Sequence, residues 1–337
     1  MPILSLSGLT IDYQTAHGTI RAVDRGTFDV PRGEIIGLVG ESGCGKTTLA
    51  RAVTGVMARN ARISGGAITF EGRNLVTASP AERRNTLWRE IAFVPQSAMN
   101  ALDPVYRVSA QIREVLVERG GYKSREVPAR IEALFRMVGL DPGRQHDYPH
   151  QFSGGMRQRV GIALALALDP KLLIADEPVT ALDVIVQRQV LDTLRDLQMR
   201  LGVSVILVTH DISVVAYVCD RIVVMYAGQV IESGPVAEVL ERPFHPYTMG
   251  LTNAFPDLIR ASDQLVPVPG NPPDLRDPPK GCRFSARCPF ALDRCRSDDP
   301  QLVRVDGNHD AACWRSDGVA EMRSKAREAS TWARSST

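Results

Sequence analysis

The sequence predicts an α/β fold of the P-loop NTPase type. It should hold a mostly parallel core sheet, an antiparallel β subdomain, a helical insertion subdomain and a small Pro/Cys-rich C-terminal extension. Three observations predict it. Short apolar runs alternate with stretches of helical periodicity, the pattern of parallel strands joined by helical crossovers. One such run, Glu34–Val39, leads through the glycine-rich turn Gly40–Thr47 into a helical stretch. Another, Leu172–Ala175, ends in the acidic pair Asp176-Glu177. The 337 residues exceed the roughly 100–200 of one ordinary core, which leaves room for an appended unit.

The elements follow in order. Ile3–Tyr13 and Ile20–Val30 are rich in β-branched and apolar residues, and the turn-like Thr15–Gly18 separates them, so a pair of strands opens the chain. Glu34–Val39 is short and apolar enough for a buried strand, and Thr47–Met57 is helical in pattern. Strands are expected at Ala67–Glu71 and Ile91–Val94. Residues 97–170 change to helical spacing, in Val108–Val117, in Pro128–Val138 and again after Ser153, which places the helical subdomain there. Strand signals return at Leu172–Ala175, Val203–Val208 and Arg221–Met225, with a long helix over Val184–Leu201. Nine prolines from Pro243 to Pro279 exclude long helices and central strands. A boundary near residue 243 follows, giving units 1–242 and 243–337. The polar stretch Gly318–Thr337 is expected to be helical and then frayed.

Composition excludes several classes. Lys plus Arg number 40 against 38 Asp plus Glu, a net charge of +2, so no bulk basic surface is available to coat nucleic acid. Hydrophobic residues make up 44% and charged residues 23%, as in a globular protein. No apolar run approaches the roughly 20 residues of a membrane-spanning helix. Residues 1–10 lack a basic stretch followed by a long apolar core, so a soluble, intracellular chain is expected.

The chemistry lies in the glycine-rich turn. Gly40-Glu-Ser-Gly-Cys-Gly-Lys-Thr47 fits G-x-x-x-x-G-K-[ST]. Gly40, Gly43 and Gly45 allow positive φ and bring backbone N–H groups against phosphate oxygens. The helix that starts there aims its positive end at the same anion. Lys46 reaches the β- and γ-phosphates, and the Thr47 hydroxyl ligates Mg²⁺. Glu41, Ser42, Cys44 and Thr48 complete the ATP-binding stretch; Cys44 reads as a tolerated loop position, since no neighbour offers a resolving thiol. Asp176, at a strand end, stands where such proteins place a second Mg²⁺ contact. Glu177 points the other way on a strand and is free to face a water. His210 follows the apolar run Val205–Thr209 at the same carboxyl edge of the sheet, which suits a γ-phosphate contact.

Phe152-Ser-Gly-Gly-Met-Arg-Gln-Arg159 sets Ser and two Gly at a second helix start, another anion-binding arrangement. The P-loop, this segment, the Asp-Glu pair and His210, in that order, resemble the nucleotide-binding subunits of ABC transporters over about residues 1–240. The resemblance implies roles. Tyr13 would stack on adenine. Gln96, in Phe93-Val-Pro-Gln96, would touch Mg²⁺ and the attacking water and report to the membrane subunits. Ser153, Gly154 and Gly155 would form the signature motif that contacts ATP held by a partner subunit, with Met156 where Gln is usual. Asp183, in Thr180-Ala-Leu-Asp183, would lie at the dimer interface. Glu177 would be the general base, and His210 would bridge it to the γ-phosphate. The resemblance also implies a second ATPase subunit (a homologue), two transmembrane permease subunits, an extracytoplasmic solute-binding protein and a peripheral seat on the cytoplasmic face of the membrane. The competing expectation is a soluble ABC-type ATPase of DNA repair or translation, which the single P-loop and the lack of a long insertion disfavour.

Four of six cysteines, Cys282, Cys288, Cys295 and Cys313, cluster near the end. In a reducing compartment this reads as a metal site before disulfides. No C-x₂-C knuckle is present, and the wide gaps suit a larger object than one ion, though zinc and free or paired thiols stay open. His245-Pro-Tyr-Thr248, Pro269–Pro273 and Gly281-Cys-Arg-Phe284 resemble the C-terminal extension of the oligopeptide/dipeptide/nickel importer ATPases. Some of these hold a [4Fe–4S] cluster there, and the resemblance implies peptides or related solutes as cargo. Cys219 reads as a small buried residue.

Overall fold

The computed structural model describes residues 1–96, 101–253 and 268–333. β1 (Leu4–Thr15) and β2 (Gly18–Val30) form an antiparallel hairpin. It is longer than the apolar pattern because the turn closes on Ala16 and His17, with the Thr15 hydroxyl donating to the Gly18 carbonyl at 2.7 Å. β3 (Ile35–Val39) is buried throughout. α1 (Lys46–Thr54) stops before Met57, because Gly55 caps it at φ 72°. β4 (Ala61–Phe70) starts earlier than expected: pairing with β1 out to Tyr13↔Ala61 extends it through polar residues. β5 (Arg73–Asn74) completes a four-stranded sheet in the order β2-β1-β4-β5, the antiparallel subdomain. α2 (Pro80–Thr86) was not expected; Ser79 and Glu82 close a capping box at its start. β6 (Ile91–Val94) follows.

The helical insertion holds α3 (Val108–Glu114), which runs into a π-helical turn at Val115–Arg119, then α4 (Val127–Met137) and α5 (Gly154–Ala165). Ile112, Leu116, Ile131, Leu134, Phe135 and Val160 share its core. Residues 97–100, also assigned to this subdomain, lie outside the described residues. The chain then returns to the main sheet through β7 (Leu172–Asp176), α6 (Val184–Leu201), β8 (Ser204–Thr209), α7 (Ile212–Val218), β9 (Arg221–Tyr226) and β10 (Gln229–Pro235). The eight-stranded sheet runs β11-β12-β10-β9-β3-β8-β7-β6, where β11 is Val303–Asp306 and β12 is His309–Ala311. The run from β9 to β6 is parallel. Its strands are covered on both faces, hence their continuous apolar runs.

The C-terminal part carries α8 (Val236–Glu241), α9 (Pro246–Asn253), α10 (Arg294–Ser297), β11 (Val303–Asp306), β12 (His309–Ala311), α11 (Val319–Ala326) and α12 (Ala329–Ala333). All are short. Yet β12 joins the main sheet through Glu232↔Ala311, so the sheet crosses residue 243. His309 Nε2 lies 2.7 Å from Glu232 Oε1 with both residues buried. The stretch after Gly318 is helical, as expected, in α11 and α12, and Trp332 is buried there and donates to the Ala326 carbonyl at 2.8 Å. Residues 334–337, where the rest of that expectation falls, lie outside the described residues.

Candidate active site

β3 delivers the chain into the P-loop, where glycine is needed for space. A Cβ on Gly40 would stand 2.1 Å from the Met225 carbonyl oxygen. Gly45 caps α1 at φ 104°, and its Cβ would stand 2.4 Å from the Ala22 carbonyl oxygen. Ser42 and Gly43 form the exposed crest. Lys46 is buried, and its ammonium donates to the carbonyls of Gly40 (2.7 Å) and Glu41 (3.0 Å). Burial pushes the Cys44 thiol up, against the opposing charge of Lys46, which keeps it a protonated filler rather than a thiolate. Tyr13, on β1, meets Thr48 hydroxyl to hydroxyl at 3.1 Å.

The Thr47 hydroxyl donates to Asp176 Oδ1 at 3.1 Å, which joins the helix start to the end of β7. Asp176 is fully buried, and among the described residues its Oδ2 has no partner. Burial pushes its carboxyl above the ordinary range, only partly offset by Thr47. Glu177 does not continue the strand. Its φ is 47°, a strained value for a residue with a side chain. The turn is fixed by its N–H donating to the Val208 carbonyl at 2.8 Å. Three groups meet the Glu177 carboxylate: Gln96 Nε2 at 2.8 Å, the Thr180 hydroxyl at 3.0 Å and His210 Nδ1 at 3.1 Å. Partial burial pushes this carboxyl up, but the hydrogen bonds from His210 and Thr180 outweigh it and hold it below the ordinary range. Gln96, Glu177 and His210 follow β6, β7 and β8, so the parallel register gathers them at one carboxyl edge.

Among the described residues no hydrogen bond joins the second helix start to this cluster. Ser153 caps α5, its hydroxyl accepting from the Met156 N–H at 3.3 Å. Gly154 and Gly155 open the helix. A Cβ on Gly155 would stand 2.2 Å from Val186 Cγ1, so α5 packs against the first turn of α6. Asp183 caps α6 by accepting from the Val186 N–H at 3.0 Å. Met156 turns its sulfur toward Arg144 Nη1, at 3.5 Å.

Cys282, Cys288, Cys295 and Cys313 are all free and line one small pocket with Phe284 and Trp314. Burial drives three of these thiols up, Cys282 to about 12, Cys313 to about 11 and Cys288 beyond. Among the described residues no group of three or more His, Cys, Asp or Glu side chains could hold a metal ion as placed.

Comparison with known proteins settles the family. Residues 23–180 match the ABC transporter family, and residues 231–295 match the oligopeptide/dipeptide transporter C-terminal region. A probable peptide ABC transporter ATP-binding protein, y4tR of Sinorhizobium fredii, is 42% identical over 95% of this chain and 97% of its own. This chain belongs to the ABC transporter ATP-binding proteins. The dipeptide transport ATP-binding protein DppD of Escherichia coli is 41% identical over 93% of this chain and 96% of its own. A putative peptide import ATP-binding protein of Brucella abortus is 44% identical over 93% and 94%. Among solved structures, the ATP-binding cassette MJ0796, a dimer in a post-hydrolysis state with ADP and Pi, superposes with a TM-score of 0.62 at 26% identity, covering 69% of this chain and 98% of its own. The cassette cbiO1 of Clostridium perfringens gives 0.62 at 27% identity, covering 74% and 95%. As an ABC ATPase the chain hydrolyses ATP in the service of a transporter, and the expectation of a repair or translation ATPase is set aside.

Several residues of this ABC ATPase were not legible as site residues in its sequence. Thr180 lies in the stretch that leads to Asp183, and a hydroxyl three residues after an acid is a usable signal of a local hydrogen bond. Arg287 donates to Glu41 Oε2 at 2.9 Å, and the Glu41 N–H donates to Tyr247 Oη at 3.1 Å. No local pattern announces either contact.

Proposed function

We propose that the chain powers the import of peptides, or of related solutes, from a peripheral seat on the cytoplasmic face of the membrane. The relatives named for dipeptide transport and peptide import support this cargo class. Among the described residues no helix is long and apolar enough to cross a membrane. In this reading two transmembrane permease subunits form the path, an extracytoplasmic binding protein delivers the solute, and a second, homologous ATPase completes the dimer. Residues 1–242 form the nucleotide-binding unit, with its helical subdomain at about 97–170, and residues 243–337 form the extension.

The observation that carries the mechanism is the convergence of Gln96, Thr180 and His210 on one carboxylate, Glu177. Held ionised, Glu177 takes the proton of the water that attacks the γ-phosphate. His210 and Gln96 fix its direction, and the strained backbone places it there. Lys46 and the loop N–H groups hold the phosphates, and Tyr13 stacks on the base. Thr47, Gln96 and Asp176 would hold Mg²⁺, which suits the buried, partnerless Oδ2 of Asp176. When bound, the ion supplies positive charge to the phosphate oxygens. Ser153, Gly154, Gly155 and Met156 contact ATP of the partner subunit across an interface that includes Asp183. The exposed Val184 and Ile185 directly after Asp183 support a surface that becomes covered.

The four thiols are read as ligands of a [4Fe–4S] cluster. They share one cavity, none is in a disulfide, and the N–H groups of Leu292 and Arg315 donate to the sulfurs of Cys295 and Cys313 at 3.5 and 3.4 Å. As placed, the four sulfurs form no group that would hold a metal ion, so this reading rests on the shared pocket and the free thiols. When bound, the cluster would tie together the loops that carry the four cysteines.

Glu177→Gln tests the mechanism. Turnover is expected to fall by roughly 10²–10⁴, the usual contribution of a general base, while ATP still binds and ATP-bound dimers accumulate on size-exclusion chromatography. Rapid hydrolysis by this variant removes Glu177 from the role.

A further inference from the structure

The segment from Cys282 to Cys288 sends thiols one way and guanidinium groups the other. The two cysteines line the C-terminal cavity, while Arg283 and Arg287 reach into the ATPase body. Arg287 is only 7% exposed. Its Nη1 donates to Glu41 Oε2 at 2.9 Å and to Tyr226 Oη at 3.1 Å, and its Nε and Nη2 donate to the carbonyls of Pro269 (2.8 Å) and Val268 (3.2 Å). A guanidinium held by four such bonds is a fixed positive charge. Glu41 is held from a second side as well, through its N–H on the buried Tyr247. Arg283 ties the same segment down again. It donates to Asp24 Oδ2 at 2.6 Å and to the Ala227 carbonyl, next to Gly228, whose N–H donates to the Cys44 carbonyl at 2.9 Å.

Glu41 places a carboxylate on the loop that receives a triphosphate. Like charges at close range in a partly buried site repel strongly, so an unpaired Glu41 would oppose ATP. We propose that Arg287 is a positioning residue of the nucleotide site: it neutralises Glu41, and through it the four-cysteine unit sets the affinity of the P-loop for ATP. The inference rests on Gly40–Thr47 being the ATP site. Arg287 makes no contact with Gln96, Glu177 or His210 among the hydrogen bonds of the described residues, so its loss acts on binding and not on the proton transfer.

MgATP binding to the full chain by titration calorimetry tests this with four variants. Arg287→Gln should raise Kd about tenfold, and Glu41→Gln, which removes the repelling charge, should lower it about threefold. The double variant Glu41→Gln/Arg287→Gln should return to within about threefold of the parent, because neutrality is restored. In the assembled transporter Arg287→Gln should raise KM and leave kcat within about twofold. A double variant as weak as or weaker than Arg287→Gln, or a folded Glu41→Gln that binds ATP no tighter than the parent, overturns the proposal. Should Arg287→Gln not fold, Glu41→Gln alone decides. Lys46→Ala separates the two levels: if it binds ATP normally the site assignment itself fails, whereas if it binds weakly and folded Arg287→Gln binds normally only the role of Arg287 fails.

Discussion

Asp176 and Glu177 are neighbours in sequence, but their environments push them in opposite directions. Asp176 is desolvated with one oxygen unpaired, so its carboxyl is raised. The charged form is penalised in the fold, and the penalty is present above the folded pKa and relieved as pH falls below it. Asp176→Asn is therefore expected to raise the melting temperature of the nucleotide-free chain, by about 2 °C for about 1 kcal/mol. The same variant should lose Mg²⁺-dependent hydrolysis; a lower melting temperature contradicts the assigned desolvation penalty. Glu177 has the opposite sign. Its carboxyl lies below the ordinary value of 4.5, so its contribution is present at neutral pH and lost only as pH falls through the depressed value. The acid limb of kcat/KM assigned to it thus lies below pH 4.5, and His210→Ala, which removes one of the bonds holding it down, should move that limb upward. A pH profile unchanged by His210→Ala would separate the histidine from the base.

At the scale of elements, legibility followed whether local pattern or distant pairing decides the structure. β3 and the helix Val184–Leu201 lie where the apolar pattern places them, because β3 is buried throughout and the helix buries one face, Val190, Leu191, Leu194 and Leu197. β4 reaches back to Ala61 because β1 lies beside it, and no local preference of Ser64-Gly-Gly66 announces that. α2 did leave a signal, the Ser79–Glu82 capping box, which was readable in advance. The Lys46, Thr47, Asp176, Glu177 and His210 positions were legible because each ends or follows a strand. Arg287 and Tyr247 were not, since their contacts with Glu41 span 246 and 206 positions. The P-loop bend carries its own prediction. At Gly40 the obstacle to a Cβ is the Met225 carbonyl oxygen, a backbone atom of β9 that cannot rotate away. Gly40→Ala should cost about 2–4 kcal/mol in stability and abolish ATP binding, checked by denaturant unfolding and by titration with ATP; a stable variant that binds ATP normally would show that β9 yields.

For the whole molecule, the extension is better described as grafted than appended. Its hairpin extends the ATPase sheet, Phe284 and Trp332 share a core with Tyr226, and two of its arginines reach the P-loop side. An iron–sulfur staple in such a unit should be visible. Protein purified without oxygen should carry about four irons per chain and absorb in the visible range, and Cys313→Ser should lose iron and melt earlier. A colourless, iron-free and fully folded chain would remove the cluster. The central claim is that ATP hydrolysis at Glu177 drives uptake. Proteoliposomes containing both permeases, the binding protein and the paired ATPases measure it directly, as ATP-dependent entry of a labelled peptide. The parent chain is expected to take up peptide and hydrolyse ATP together, and Glu177→Gln to lose both while still holding ATP; uptake that continues in that variant would contradict the account.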